Sequence, residues 1–174
     1  MSAGRQGRAE PSGAAWPRRI ESHGEFVLAL HEALAFALQH PARRMVWADP
    51  DFEDWPLDDA ALWPRLVDWL RLPQRRLVLL ARDYEGLPRR CPRFVAGYRL
   101  WSHAITAYSP ARDDEVALPG LLLVEEVGVV QLFDKERWRG RASGDVSALR
   151  PWVDRIDAVL QRSSPAFAAT TLGL

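Results

Sequence analysis

The chain of 174 residues has one cysteine, Cys91, one lysine, Lys135, and a formal net charge of zero. A lone cysteine excludes an internal disulfide and fits a reducing cytoplasm, the expected location. Cys91 itself reads as a helix-end spacer rather than a nucleophile. No apolar run approaches the ~20 residues that a membrane helix needs. The opening stretch MSAGRQGRAEPSGAAW carries arginines but no hydrophobic segment, which is not how a secretory signal reads. A balanced charge argues against a general polyanion binder, so nucleic acid is not the expected partner. No catalytic motif rises above background, no internal repeat is visible, and no cofactor is expected.

What is present supports a folded α/β domain. A hydrophobic content of 48% supplies an ordinary core, and a chain of this length buries roughly two-thirds of its unfolded surface. Eight tryptophans are expected in that core or on its rim. Residues 1–17 are small, polar and interrupted by glycine and proline, and are expected to be disordered. Residues 18–174 are expected to form a single domain. Its centre is Arg75–Asp83, RRLVLLARD, where an unbroken apolar run marks a strand covered on both faces.

The elements follow from periodicity and caps. Ser22-His23-Gly24-Glu25 is a capping box for a helix over 23–39 that stops before Pro41. Arg44–Ala48 reads as a strand, and Leu62, Leu66, Trp69 and Leu70 form the apolar stripe of a second helix. A third helix is expected over 91–100, and a strand over Ala104–Tyr108. Leu121–Glu125 and Val129–Phe133 read as a hairpin with Gly128 at the positive-φ position. A basic loop, Lys135–Arg141, leads to a last helix carrying Leu149, Trp152, Val153, Ile156, Val159 and Leu160 on one face. The tail has no charged side chain after Arg162, and Phe167 is expected to dock on the domain or a partner. The expected fold is a three-layer α/β domain: a mixed, mostly parallel sheet of about five strands, closed by an antiparallel hairpin and a final helix.

Several local motifs resemble a family of small bacterial proteins, seen mainly in betaproteobacteria and sometimes joined to acetyltransferase domains. They are Asp51-Phe52 with Trp55-Pro56-Leu57, Pro92-Arg93-Phe94, Ser102-His103, Arg137-Trp138-Arg139-Gly140, Gln161-Arg162-Ser163, Pro165-Ala166-Phe167 and Thr170-Thr171-Leu172-Gly173-Leu174. The resemblance covers about residues 20–174 and implies no catalytic residue. The element order also resembles one half of a phospholipase-D-like fold. Active members of that fold carry a His-x-Lys on the hairpin and an Asp five residues after the Lys. The His is the phosphoryl-accepting nucleophile and the Lys neutralises phosphate charge. That spacing falls on Pro119, Leu121 and Glu126 here, so the resemblance implies a catalytically degenerate member.

Three groups of residues are candidate sites. Asp49–Asp59 holds six acids and no base, and Asp49, Asp51, Glu53 and Asp54 could gather a hard cation. The same acids also precede a helix whose N-terminus favours negative charge, and a solvated capping role is the preferred reading, with no metal expected. Seven arginines between 75 and 99, with Arg137, Arg139 and Arg141, could form an anion or nucleic-acid surface, or pair with the acidic stretch within a protomer or across a homodimer. Pairing is preferred. Finally, ligands of open α/β sheets bind beyond the carboxyl ends of parallel strands. That rule gathers Asp49, Asp51, Asp83 and Tyr84, joined by Arg93, Arg99 and His103, into a candidate ligand pocket. An arginine there suits a phosphate or carboxylate. The expected function is a non-catalytic cytoplasmic module that binds a protein partner or a small anion. The alternatives are a metal-dependent phosphoesterase built on Asp49–Glu53 and a nucleic-acid-binding accessory protein.

Overall fold

A computed structural model of the chain describes residues 18–113 and 117–168. The segment 1–17, expected to be disordered, and tail residues 169–174 lie outside the described residues. Among the described residues the element order is β1 (Arg18–Ile20), α1 (His23–Gln39), β2 (Arg44–Ala48), α2 (Leu62–Leu70), β3 (Arg76–Leu80), α3 (Leu87–Arg90), α4 (Pro92–Leu100), β4 (Ile105–Pro110), β5 (Gly120–Val124), β6 (Gly128–Asp134), β7 (Arg139–Ser143), α5 (Val146–Leu160) and β8 (Ser163–Pro165). The strands form one mixed sheet in the order β1-β7-β6-β5-β2-β3-β4-β8.

The expectation of about five mostly parallel strands is corrected: the sheet has eight, and most of its pairings are antiparallel. Only β2–β3 and β3–β4 run parallel. The three strands that the sequence concealed are β1, β7 and β8. Each is three to five residues long and carries charged or turn-forming residues on its open side. The stretch read as a basic loop is in part β7, RGRAS, with Gly140 and Ala142 buried between exposed arginines. The hairpin turn also differs: Glu126, at φ 64°, takes the left-handed conformation assigned to Gly128, and no described glycine has positive φ.

Strand alternation divides the core into two layers. Met45, Trp47, Leu77, Leu79, Leu122 and Val130 face a cluster completed by α1, α2 and α4. Val46, Val78, Leu80, Leu121, Leu123 and Val129 face a second cluster completed by Leu149, Ile156 and Val159 of α5. Helices therefore cover both faces of the sheet. Trp152 packs at the edge of the second layer and is only partly buried. No described helix is long and apolar enough to cross a membrane. At the other edge β8 pairs with β4, and Phe167 stacks between Tyr84 and Tyr98 at ring separations of 5.4 and 5.2 Å.

Gly140 is required by close approach rather than by φ, because a Cβ there would collide with the backbone carbonyl oxygen of Gln131 on β6. Gly24, in the first turn of α1, has open space around it. Gly140→Ala is expected to destabilise the protein by about 1–3 kcal/mol, the range for overpacking. Gly24→Ala should be neutral, or stabilising by up to about 1 kcal/mol through chain entropy. Urea unfolding of both variants checks this, and equal effects would contradict the β6–β7 packing.

Candidate functional site: an acidic turn closed by Lys135 and an arginine face beside it

Asp49 follows the last residue of β2 and is the buried charged residue of the core, with no solvent exposure. A carboxylate in that position is tolerable only when its oxygens are satisfied. Oδ1 accepts the backbone N–H groups of Asp51 (3.1 Å) and Phe52 (2.9 Å) and the Lys135 ammonium (3.0 Å). Oδ2 accepts the indole N–H of Trp55 at 2.9 Å. These bonds fold 49–55 into a tight turn, with Phe52 at φ 56° and its ring buried against Trp55 at 5.2 Å. Gly120 on β5 lies against the same carboxylate, where a Cβ would sit 3.4 Å from Oδ2.

Lys135 is shared among three carboxylates: Asp49 at 3.0 Å, Asp51 at 3.2 Å and Asp54 at 3.5 Å. Burial draws its pKa down, but the charges and hydrogen bonds of Asp49 and Asp51 prevail and leave it above the ordinary lysine value. Burial likewise raises the Asp51 carboxyl, and the amide of Glu53 together with Lys135 more than reverses that, leaving it below the usual carboxylate range. Both groups are thus fixed in their charged forms near neutral pH, which suits neither for proton transfer. The ammonium occupies the centre of the acid group. Among the described residues no set of three or more His, Cys, Asp or Glu side chains is arranged to hold a metal ion.

Of the other residues of the candidate pocket, Asp83 and Tyr84 adjoin the turn, the Asp83 N–H donating to the Pro50 carbonyl at 3.1 Å and the Tyr84 ring lying 6.2 Å from that of Phe52. Asp83 is exposed and accepts the Glu85 N–H at 2.7 Å. Tyr84 is buried, its hydroxyl donates to the Tyr108 carbonyl at 2.9 Å, and burial drives its pKa far upward. Arg93 is exposed on α4, where its backbone N–H donates to Asp58 at 2.8 Å. Arg99 is exposed near the C-terminus of α4. His103 precedes β4, at the amino end of the parallel strands, with its ring 5.4 Å from Trp101. The structure therefore brings Asp49 and Asp51 together and leaves Arg99 and His103 outside that group. Nor do the arginines of 75–99 form ion pairs with the acidic stretch within the protomer. Among the described residues its ion pairs go to Lys135 and His31, while Arg90 donates to the Asp51 backbone carbonyl at 3.0 Å. Of the places corresponding to the phospholipase-D-like motif, Pro119 borders a surface groove, Leu121 is in the core, and Glu126 is in the hairpin turn.

Beyond Lys135, among the described residues, the sheet face presents exposed side chains of β7 and β1. In the β1–β7 ladder Arg19 stands directly opposite Arg141, and Arg141 in turn faces Gln131 of β6. Arg139 lies two residues along on the same side of β7. Glu21 reaches Arg19 at 3.0 Å and Arg139 at 3.6 Å, whereas Arg141 has no carboxylate within ion-pair distance among the described residues. These arginines line a groove of about 430 Å³ whose wall is Phe133, 62% exposed. On the other side of Phe133 a second groove of about 350 Å³ is lined by Pro119, Gln131, Lys135, Trp152 and Arg155. Sequence reasoning offered Arg139 and Arg141 to an anion surface only as the alternative to pairing with the acids, which it preferred, and it named neither Arg19 nor Phe133. The alternation in Arg139-Gly140-Arg141-Ala142 was the available signal.

No protein-family model matches the chain, and no curated protein matches it. Among solved structures, a similar fold occurs in TrmBL2, an archaeal chromatin protein with a novel mode of DNA binding. The match has a TM-score of 0.54 at 13% identity, covering 87% of this chain and 54% of that one. Another is Nuc, a phospholipase D family member from Salmonella typhimurium, at a TM-score of 0.49 and 10% identity, covering 82% of this chain and 90% of that one. The chain spans about half the length of TrmBL2, and the likeness to it is one of fold.

Because Lys135 fills the acid group, Mg²⁺, Mn²⁺ and Ca²⁺ at millimolar concentration should leave the melting temperature unchanged. A saturable rise with any of them, removed by Asp51→Asn, would overturn the closed-turn description.

Proposed function

We propose that the chain is a non-catalytic binding module for an anionic ligand, and that it binds on the open face of β6, β7 and β1. The observation that carries the reading is the Arg19–Arg141 pair. Like charges directly opposite each other in a ladder are destabilising, and here Arg139 adds a third cation, while Glu21 reaches Arg19 and Arg139 and Asp134 stands opposite Arg139. Such an arrangement is relieved when an anion enters the groove. Guanidinium groups suit the task, because their planar forks match phosphate and carboxylate oxygens.

The non-catalytic part rests on chemistry. Nucleophilic displacement at phosphorus needs an activated nucleophile and a cation free to neutralise the phosphoryl oxygens. The positions that the phospholipase-D-like pattern would use for them hold Pro119 and Leu121, and Lys135 is committed to three carboxylates. The reading keeps the small-anion class inferred from the sequence. It moves the ligand from the carboxyl ends of the parallel strands, which the chain's own side chains fill, to the arginine face.

Thermal shift in low-salt buffer tests this. Pyrophosphate should raise the melting temperature of the natural chain, and the Arg19→Gln/Arg141→Gln double variant should lose that response. In anion-free buffer the double variant should melt no lower than the natural chain, since it removes a repulsion. Equal responses of the two proteins to pyrophosphate would place the site elsewhere.

A further inference from the structure

We infer that the anion recognised on this face is the backbone of a single-stranded nucleic acid whose bases stack on Phe133, an inference that rests on the anion-binding reading above. Phe133 is the deciding residue. It lies near the end of β6, whose inward-facing Val130 and Leu132 are buried, yet its own ring is 62% exposed. Leaving that much aromatic surface in water gains nothing for folding. The ring separates two grooves of about 430 and 350 Å³, each roomy enough for a nucleotide unit. Cations lie on both sides of it: Arg19, Arg139 and Arg141 along one groove, and Arg155 along the other. Trp152 forms the far wall of the second groove, with the Arg155 guanidinium 5.3 Å from its ring centroid.

Alternating cations and aromatic rings along an open track is the pattern that single strands require. Arginines follow the phosphates, and the rings accept any base because every base has a π-face. An acidic peptide would use the arginines but leave the rings without a role. A duplex hides its base faces, so Phe133 would again have nothing to stack on. The zero net charge of the chain does not oppose this. Six acids are held in the 49–59 turn, and part of their charge is neutralised by Lys135, so the positive charge of the β1–β7 edge is local.

The test is fluorescence anisotropy of a labelled twelve-nucleotide oligo-dT with the full chain at low salt, beside a labelled glutamate oligopeptide of similar charge. Oligo-dT should bind, and its affinity should fall with salt. Arg19→Gln/Arg141→Gln should reduce the steepness of that dependence by about 1.4 in log–log slope, two contacts at about 0.7 each for single strands. Phe133→Ala, a change at an exposed position that should leave the melting temperature unaltered, should weaken oligo-dT roughly 5- to 160-fold, the worth of one stacked base. Phe133→Trp should retain binding. If the peptide binds as well as oligo-dT and Phe133→Ala weakens neither, the nucleic-acid inference is overturned while the anion-binding reading stands. If oligo-dT, peptide and pyrophosphate all fail to bind, both readings are wrong.

Discussion

The structure depends on one contact, the Asp49 carboxylate with the Lys135 ammonium at 3.0 Å. A carboxylate without solvent exposure at the end of a central strand is a severe desolvation cost unless it is fully bonded. Two backbone amides, an indole and the lysine meet that demand, and each bond has a structural consequence. The amides wind the chain into the 49–52 turn. The indole brings Trp55 under the sheet, within 5.6 Å of Trp47. The lysine ties the segment joining β6 and β7 to the end of β2, across 86 residues of sequence. Truncating Lys135 would leave Asp49 buried without a countercharge, whereas Lys135 without Asp49 would still face Asp51 and Asp54.

That contact also closes the place where an α/β sheet usually takes a ligand. The carboxyl ends of parallel strands are the usual place for one in an α/β sheet, and here they are occupied by Asp49, Lys135 and Trp55. Only three strands run parallel, and the sheet continues through β5, β6, β7 and β1 as antiparallel ribbon. An antiparallel sheet leaves one face open more readily than a parallel one. Among the described residues the main packing of α5 on this side is against β4, β5, β6 and β8. Among the described residues the remainder carries the arginine face, so the proposed binding surface and the closed turn follow from the same topology.

The legibility of the fold varied with burial. β2 and β3 were readable because both faces are covered and their residues are almost all apolar. α1 was readable because the Ser22 hydroxyl accepts the Glu25 N–H in the capping-box pattern. β1, β7 and β8 were not, since a short edge strand buries one or two residues and its remaining side chains look like loop. Gly140 added to this: glycine reads as a break, yet here it permits close packing on β6. The acidic turn was visible as a charge run and a capping segment, but its partner was not, because nothing local links Lys135 to Asp49. The arginine face was half visible, since the register that sets Arg19 opposite Arg141 belongs to the sheet and not to either segment alone.

The most direct measurement is a double-mutant cycle between Asp49→Asn and Lys135→Met, read by urea unfolding. Lys135→Met leaves the buried Asp49 carboxylate without a countercharge and should be strongly destabilising, a cost that largely disappears once Asp49 is Asn, so the coupling should be about 2 kcal/mol or more. Additive effects, with a coupling within about 0.5 kcal/mol of zero, would contradict the claim that this contact holds the turn and closes the ends of the parallel strands.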